Sequence, residues 1–144
     1  MIVRRAFISD IPAMAALERQ HPFYPAWGEK GLASELDNRF AVTLIAEEGA
    51  ETIGFISFRM LRPELQLNAV VSSSDSLRKG VASALLSKML EYARKGGCLT
   101  VDLEVACDNQ PAIGLYTKRG FSVNGRRPGF YNGHTDALLM RLEL

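Results

Sequence analysis

Cysteine is scarce in this chain: Cys98 and Cys107 are the two in 144 residues. Two cysteines cannot build a disulfide framework, and the expectation is a reduced, cytoplasmic protein. Histidine is as scarce. His21 and His134 stand far apart, no Cys/His cluster has zinc spacing, and no metal is expected. Charge of one sign is missing too: 17 Lys and Arg against 16 Asp and Glu leave a net +1. The broad basic footprint of a nucleic-acid binder is therefore absent. No apolar run approaches a membrane span, and the N-terminus lacks the apolar region of a signal peptide. There is no internal repeat and no low-complexity tract beyond a short serine run. Neither a Walker loop nor a Rossmann fingerprint occurs. What remains is ordinary for a soluble globular protein, with 47% hydrophobic and 23% charged residues. The length suits a single domain, 1–144, with a real core.

The chain is organised around Leu67 to Ala93. Leu67, Ala69, Val70 and Val71 give the short apolar run of a covered strand. Ser72, Ser73, Ser74, Asp75 and Ser76 break it. After Leu77-Arg78-Lys79-Gly80-Val81-Ala82 the period changes. Ala82, Leu85, Leu86, Met89, Leu90 and Ala93 recur at helical spacing, with Ser83, Ser87, Glu91 and Lys95 on the other face. A helix N-terminus carries free backbone N–H groups and the positive end of the helix dipole. Glycine there lets an anion approach, and two cations precede it. Two readings stand: a phosphate cradle, or a turn glycine beside solvated loop charges.

Ile2 to Phe7 reads as a first strand. Ser9 or Asp10 can cap a helix with Pro12 in its first turn, carried by Ile11, Met14, Ala15, Leu17 and Glu18. His21-Pro22-Phe23-Tyr24-Pro25-Ala26-Trp27-Gly28 is an unusually aromatic loop. It reads either as a hydrophobic plug or as a substrate-side wall. A short helix, 29–38, follows. Phe40 to Ala46 and Thr52 to Leu61 form a hairpin across Glu48-Gly49-Ala50-Glu51. Lys95-Gly96-Gly97 ends the long helix. Leu99, Val101, Leu103 and Val105 alternate with polar residues in the next strand. Asn109 can cap a helix with Pro111 in its first turn, and Arg119-Gly120 ends it. Phe121 to Gly125 and Ala137 to Leu142 make a last strand pair joined by a long loop, and Arg126-Arg127 reads as solvated surface. This order implies a mixed α/β sheet with helices on both faces.

These residues resemble an ordered set of motifs. Arg78-Lys79-Gly80-Val81-Ala82 is similar to the acyl-CoA pyrophosphate loop of the GCN5-related N-acetyltransferases, Gln/Arg-x-x-Gly-x-Gly/Ala. Leu103-Glu104-Val105, Asn109, Ala112-Ile113-Gly114-Leu115-Tyr116 and Arg119-Gly120-Phe121 resemble the second half of that family's domain. Leu17-Glu18-Arg19, His21-Pro22-Phe23, Trp27 and Tyr131 with Asp136-Ala137-Leu138-Leu139-Met140 look like its bacterial ribosomal-protein alanine branch. Two departures stand out. Leu77 occupies the position of Gln or Arg, and serines replace an Asp-Pro in a loop one residue longer than usual. The resemblance implies a sheet splayed in a V, with acetyl-CoA as cosubstrate. Pantetheine would pair with the Ala69–Val71 backbone, and the pyrophosphate would meet Arg78, Lys79, Gly80, Val81, Ala82 and Ser83. It satisfies a strand edge that would otherwise be a liability.

Amide formation from acetyl-CoA needs a neutral amine, a stabilised oxyanion and a proton for the leaving thiolate. An α-amino group has a pKa of about 7.7–8.0 and a lysine about 10.4, so an N-terminal acceptor needs only modest help. The resemblance assigns Glu104, on the polar phase of its strand, as base, directly or through water. On its own it reads as a solvent-facing carboxylate. The resemblance makes Tyr116 the general acid; on its own it is a core tyrosine with a satisfied hydroxyl. Asn109 has two compatible roles, helix cap and contact to the CoA arm. A backbone N–H near Val70 or Val71 is the expected oxyanion donor. Phe23, Trp27 and Tyr131 are expected on the acceptor side, with loop packing as the other reading of Tyr131. Cys107 lies just past Glu104 without an adjacent histidine, and direct transfer is expected rather than an acyl-cysteine.

The expectation is an acetyl-CoA-dependent N-acetyltransferase acting on a protein N-terminal amine, that of a ribosomal protein. Two alternatives stay open: a small-molecule amine or polyamine acetyltransferase, and a non-catalytic acyl-CoA-binding module. Neither nucleic acid nor membrane is an expected partner, and the protein is expected as monomer or homodimer.

Overall fold

The computed structural model describes residues 1–22, 24–76, 80–131 and 133–144. The elements in chain order are β1 (Ile2–Arg5), α1 (Ile11–Arg19), α2 (Gly28–Leu36), β2 (Ala41–Glu48), β3 (Glu51–Leu61), β4 (Glu64–Ser72), α3 (Val81–Lys95), β5 (Thr100–Ala106), α4 (Gln110–Lys118), β6 (Ser122–Tyr131) and β7 (Thr135–Glu143). The seven strands hydrogen-bond in the order β1-β2-β3-β4-β5-β7-β6. The chain falls into two compact units, Met1–Arg59 with Ala69–Tyr92, and Met60–Asn68 with Ala93–Leu144.

In the first unit β1, β2 and β3 are antiparallel. Ile45 opposite Phe55 turns one face to a cluster with Ile11, Met14, Ala15, Leu17 and Leu32 of α1 and α2, and with Ala69 and Val71 of β4. Alternation puts Leu44, Ile56 and Phe58 on the other face. There the Phe58 ring meets Tyr92 of α3 edge-on at 5.6 Å. Leu85, Leu86 and Met89 supply the buried stripe of α3, as its helical period predicts. Helices thus cover both faces of this part of the sheet. Gly54 lets α3 come close. A Cβ there would lie 2.7 Å from Cγ1 of Val81 and 3.0 Å from the carbonyl oxygen of Val71.

Asp10 does not cap α1. Its carboxylate instead accepts from the Arg4 guanidinium, at 3.0 Å through each oxygen, and from the Phe7 N–H. Pairing the part-exposed Arg4 guanidinium with two carboxylates, Asp10 and Glu47, replaces the capping bond with charge-assisted hydrogen bonds.

In the second unit β4 runs parallel to β5 over Glu64–Gln66 against Thr100–Asp102. Among the described residues that ladder stops there: Leu67 and Asn68 form no further rung with Leu103 and Glu104. β5 then pairs antiparallel with β7, and β7 with β6. The long final loop expected from the sequence is mostly strand. β6 continues to Tyr131, and the three residues between Arg127 and Tyr131 face one, Asp136, between Ala137 and Thr135. Pro128 and Gly129 (φ +59°) make that irregular step, and the Gly129 N–H reaches Asp136 at 2.9 Å.

Candidate active site

The first unit presents the end of β4 and the start of α3. Ala69 and Val71 are buried, while Val70 between them is part-exposed. The chain then pins itself. The Ser73 N–H donates to the Ile53 carbonyl at 2.8 Å, and Ser73 is buried despite its polarity. Gly80 stands just before α3 with φ +76°, and its carbonyl accepts the Ala84 N–H at 2.9 Å. Among the described residues, its chain neighbours aside, no atom lies within 4 Å of where a Cβ would be. Val81 is buried and Ala82 and Ser83 are part-exposed. Arg78 and Lys79, with Leu77, lie outside the described residues, as does Phe23.

The aromatic loop is held by a residue that sequence reasoning passed over. Glu18 lies on the apolar stripe of α1 and is 2% exposed. Its oxygens accept from the N–H groups of Trp27 (2.8 Å) and Gly28 (3.1 Å), satisfying the buried carboxylate and the first donors of α2 together. A carboxylate at the i+7 position of an otherwise apolar stripe was the available signal. Trp27 and Tyr24 pack on the Ile11–Val71 cluster, which supports the plug reading of the loop.

The second unit brings together Glu104, Tyr116, Arg127 and Tyr131. Glu104 pairs with Leu139 of β7, and Leu139 with Gly125 of β6, so one row crosses three strands. Arg127 stands two residues beyond Gly125 on the same face and reaches back. Its Nη2 lies 2.9 Å from Glu104 Oε1. Arg127 therefore is not simply solvated surface, although half of its side chain is exposed. Arg126 likewise pairs with Asp136 at 2.8 Å. The three-against-one irregularity of β6 keeps Tyr131 on the Arg127 face. The Arg127 guanidinium stacks over Phe130 at 4.8 Å, and Phe130 meets Tyr131 edge-on at 5.0 Å.

Tyr116 is 8% exposed on α4, with its ring 5.7 Å from Phe121. Burial, helped by the neighbouring Tyr131, pushes its phenol up to about 12. Tyr131 is raised as well, by burial and then by the Glu104 carboxylate, against an opposing pull from Arg127. Both hydroxyls are thus kept as proton-bearing donors at neutral pH, and that of Tyr131 also meets the fields of the Glu104 carboxylate and the Arg127 guanidinium. Asn109 caps α4 as expected, its Oδ1 accepting from Ala112 N–H at 3.3 Å. Cys107 is a free thiol.

Among the described residues no group of three or more His, Cys, Asp or Glu is placed to hold a metal, and no helix is long and apolar enough to cross a membrane. A cavity of about 320 Å³ lies elsewhere in the first unit, lined by Ala6, Phe7, Ala33, Leu36 and Thr43 among others, and contains none of the expected site residues.

The acetyltransferase (GNAT) family model matches residues 13–121. The chain is 30% identical over 139 residues to the [ribosomal protein bS18]-alanine N-acetyltransferase of Escherichia coli K12, covering 94% of this chain and 93% of that one. It superposes on the crystal structure of the ribosomal-protein-S18-alanine N-acetyltransferase from Escherichia coli with a TM-score of 0.90 and 27% identity, over 99% of this chain and 92% of that one. The PaiA N-acetyltransferase from Thermoplasma acidophilum, solved in complex with coenzyme A, shares the fold at a TM-score of 0.84 and 18% identity, over 99% and 98% of the two chains.

Proposed function

The chain belongs to the acetyltransferase (GNAT) family, and from that premise we propose that residues 1–144 act as one N-acetyltransferase domain that moves the acetyl group of acetyl-CoA to the N-terminal α-amine of a ribosomal protein. The acceptor class rests on the relatives, which carry that activity in their names over nearly the whole chain. The observation that carries the chemistry is Tyr116: a buried phenol, kept protonated by its surroundings, with Tyr131 as its electrostatic neighbour and Glu104 acting in turn on Tyr131.

In this reading the first unit receives the cosubstrate. Backbone groups of Val70 and Val71 take the pantetheine arm and polarise the thioester carbonyl. Arg78, Lys79 and the backbone from Gly80 to Ser83 take the pyrophosphate, and Asn109 adds a contact to the CoA arm. Phe23, Trp27 and Tyr131 line the acceptor side. Glu104 takes a proton from the acceptor ammonium, directly or through water. The free amine attacks the thioester carbonyl, the C–S bond breaks, and the proton shed by the new amide nitrogen neutralises the leaving thiolate, giving the amide and the free CoA thiol. Tyr116 donates its hydroxyl hydrogen bond to the sulfur as negative charge develops there.

The test is acetylation of a peptide array that includes sequences beginning Ala-Arg, with free thiol as readout. Expected is turnover of α-amine acceptors, with acetyl-CoA stabilising the fold by about 2.7 kcal/mol at a hundredfold excess over Kd. Preferred turnover of free polyamines overturns the acceptor assignment. Binding of acetyl-CoA without thiol release on any amine overturns the catalytic one.

A further inference from the structure

The two residues that follow α1 fasten the chain where it leaves β4. Gln20 Oε1 accepts from the Ser74 N–H at 2.8 Å and from its hydroxyl at 3.1 Å. His21 Nε2 lies 2.7 Å from the Ser72 carbonyl oxygen. A carbonyl can only accept, so Nε2 carries the proton and donates. The peptide unit between Ser72 and Ser73 is thereby pinned at both ends. Its C=O is held by His21 of the α1 end, and its N–H by the Ile53 carbonyl of β3. The next peptide N–H, at Ser74, is held by Gln20. Two consecutive peptide planes between β4 and Gly80 are therefore set by side chains more than fifty residues away in sequence.

Local loop hydrogen bonding does not require this. A serine-rich turn can satisfy itself, as Ser73 Oγ does for the Asp75 N–H at 3.3 Å. Two longer side chains from just past α1 instead fix where the chain leaves β4.

We infer that Gln20 and His21 are positioning residues for acyl-CoA: they hold the Ser72–Ser74 backbone in the geometry that binds the cosubstrate. The inference rests on the reading above, that the 69–83 segment receives acetyl-CoA. A backbone cradle works through fixed donors, and an ångström of slack there costs binding geometry. Neither side chain touches the reacting atoms in this account. Their removal is expected in the cosubstrate's binding and not in the chemical step.

The experiment is steady-state kinetics on the full chain with acetyl-CoA and an acceptor peptide, for Gln20→Ala, His21→Ala and His21→Gln, with acetyl-CoA titrated into each by calorimetry. Each alanine variant should raise the acetyl-CoA KM and Kd about three- to tenfold, the scale of one or two hydrogen bonds. The acceptor KM and kcat should stay near the parent's. His21→Gln keeps an N–H donor and should recover most of the affinity. If the alanine variants bind acetyl-CoA like the parent, or lose both KM values and thermal stability together without rescue by His21→Gln, the two residues only hold the fold and the inference fails. A parent protein that does not bind acetyl-CoA would overturn the underlying reading instead.

Discussion

Nη2 of Arg127 lies 2.9 Å from Oε1 of Glu104, an ion pair that joins β6 to β5 across β7. The carboxylate proposed as base thus already has a cation. Exposure of half the arginine side chain keeps the pair weak in stability terms, within about 1 kcal/mol. Its consequence is competition. An acceptor arriving as an ammonium seeks the same carboxylate that the guanidinium holds.

Arg127→Ala is therefore expected to lower the acceptor KM and leave the acetyl-CoA KM unmoved. It should also make the acceptor KM rise more steeply with salt, because the carboxylate left without its guanidinium attracts the ammonium with an uncompensated charge that salt screens. Arg127→Lys should stay close to the parent. The check is acceptor KM at low and high salt for all three proteins. A raised acceptor KM in Arg127→Ala would show that the guanidinium binds the acceptor and does not compete with it.

The sequence carried the local parts of this arrangement and missed the parts made at a distance. The α3 stripe and the Asn109 cap are set by neighbours within a few residues, so periodicity and cap chemistry reveal them. The Glu104–Arg127 pair depends on the register of three strands and on an irregular step at Pro128–Gly129. No spacing in the chain encodes that. The same holds for Asp10, whose capping potential was read correctly from its type but which a guanidinium six residues away takes instead. Glu18 was legible: it interrupts an apolar stripe, and a buried carboxylate must find donors.

Gly54 gives a prediction about packing. A methyl there would meet the Val81 side chain and the Val71 carbonyl, neither of which is the loose end of a flexible chain. Gly54→Ala should cost about 1–3 kcal/mol. It should also raise the acetyl-CoA KM, because the displaced atoms belong to the end of β4 and the start of α3. Denaturant midpoints and acetyl-CoA titration measure the two effects. A variant with parent-like stability would mean that α3 shifts without cost.

Asp10 gives a prediction about acid. The Arg4 hydrogen bond, assisted by the Phe7 N–H, holds its carboxyl below the usual carboxylate range. A depressed pKa in the folded state contributes stability above the unfolded value of about 3.9, and that stability is lost as pH falls through the folded value. Asp10→Asn should lower stability at neutral pH by about 1 kcal/mol and flatten the acid limb of the stability profile. Turnover should not change, since Asp10 lies on none of the elements assigned to acetyl-CoA or acceptor. Chemical denaturation from neutral pH down to the acid limb checks it, and an unchanged acid limb would leave the Arg4–Asp10 pair without energetic weight.

Tyr116 separates packing from chemistry on two independent axes. On the stability axis, its phenol is pushed up to about 12 in the folded protein, chiefly by burial. An unfolded tyrosine loses its proton near 10. Its contribution is thus fully present below about pH 10 and lost as pH rises toward the folded value. Tyr116→Phe keeps the ring against Phe121 and removes the ionisable group, so this part of the alkaline decline should vanish, leaving the part owed to Tyr131. On the activity axis, a phenol that stays neutral so far above working pH is a poor source of a freely released proton but a persistent hydrogen-bond donor. Its value to the leaving sulfur lies in the transition state, where charge is forming. Tyr116→Phe should lower kcat by about 10²- to 10⁴-fold while the acetyl-CoA KM moves little. The variant's kcat at saturating acetyl-CoA and its denaturation midpoints between pH 9 and pH 12 test both axes in one protein. A kcat within a few-fold of the parent, with the alkaline limb flattened as expected, would make Tyr116 a core residue and leave Tyr131 as the other raised hydroxyl beside Glu104 to examine as donor.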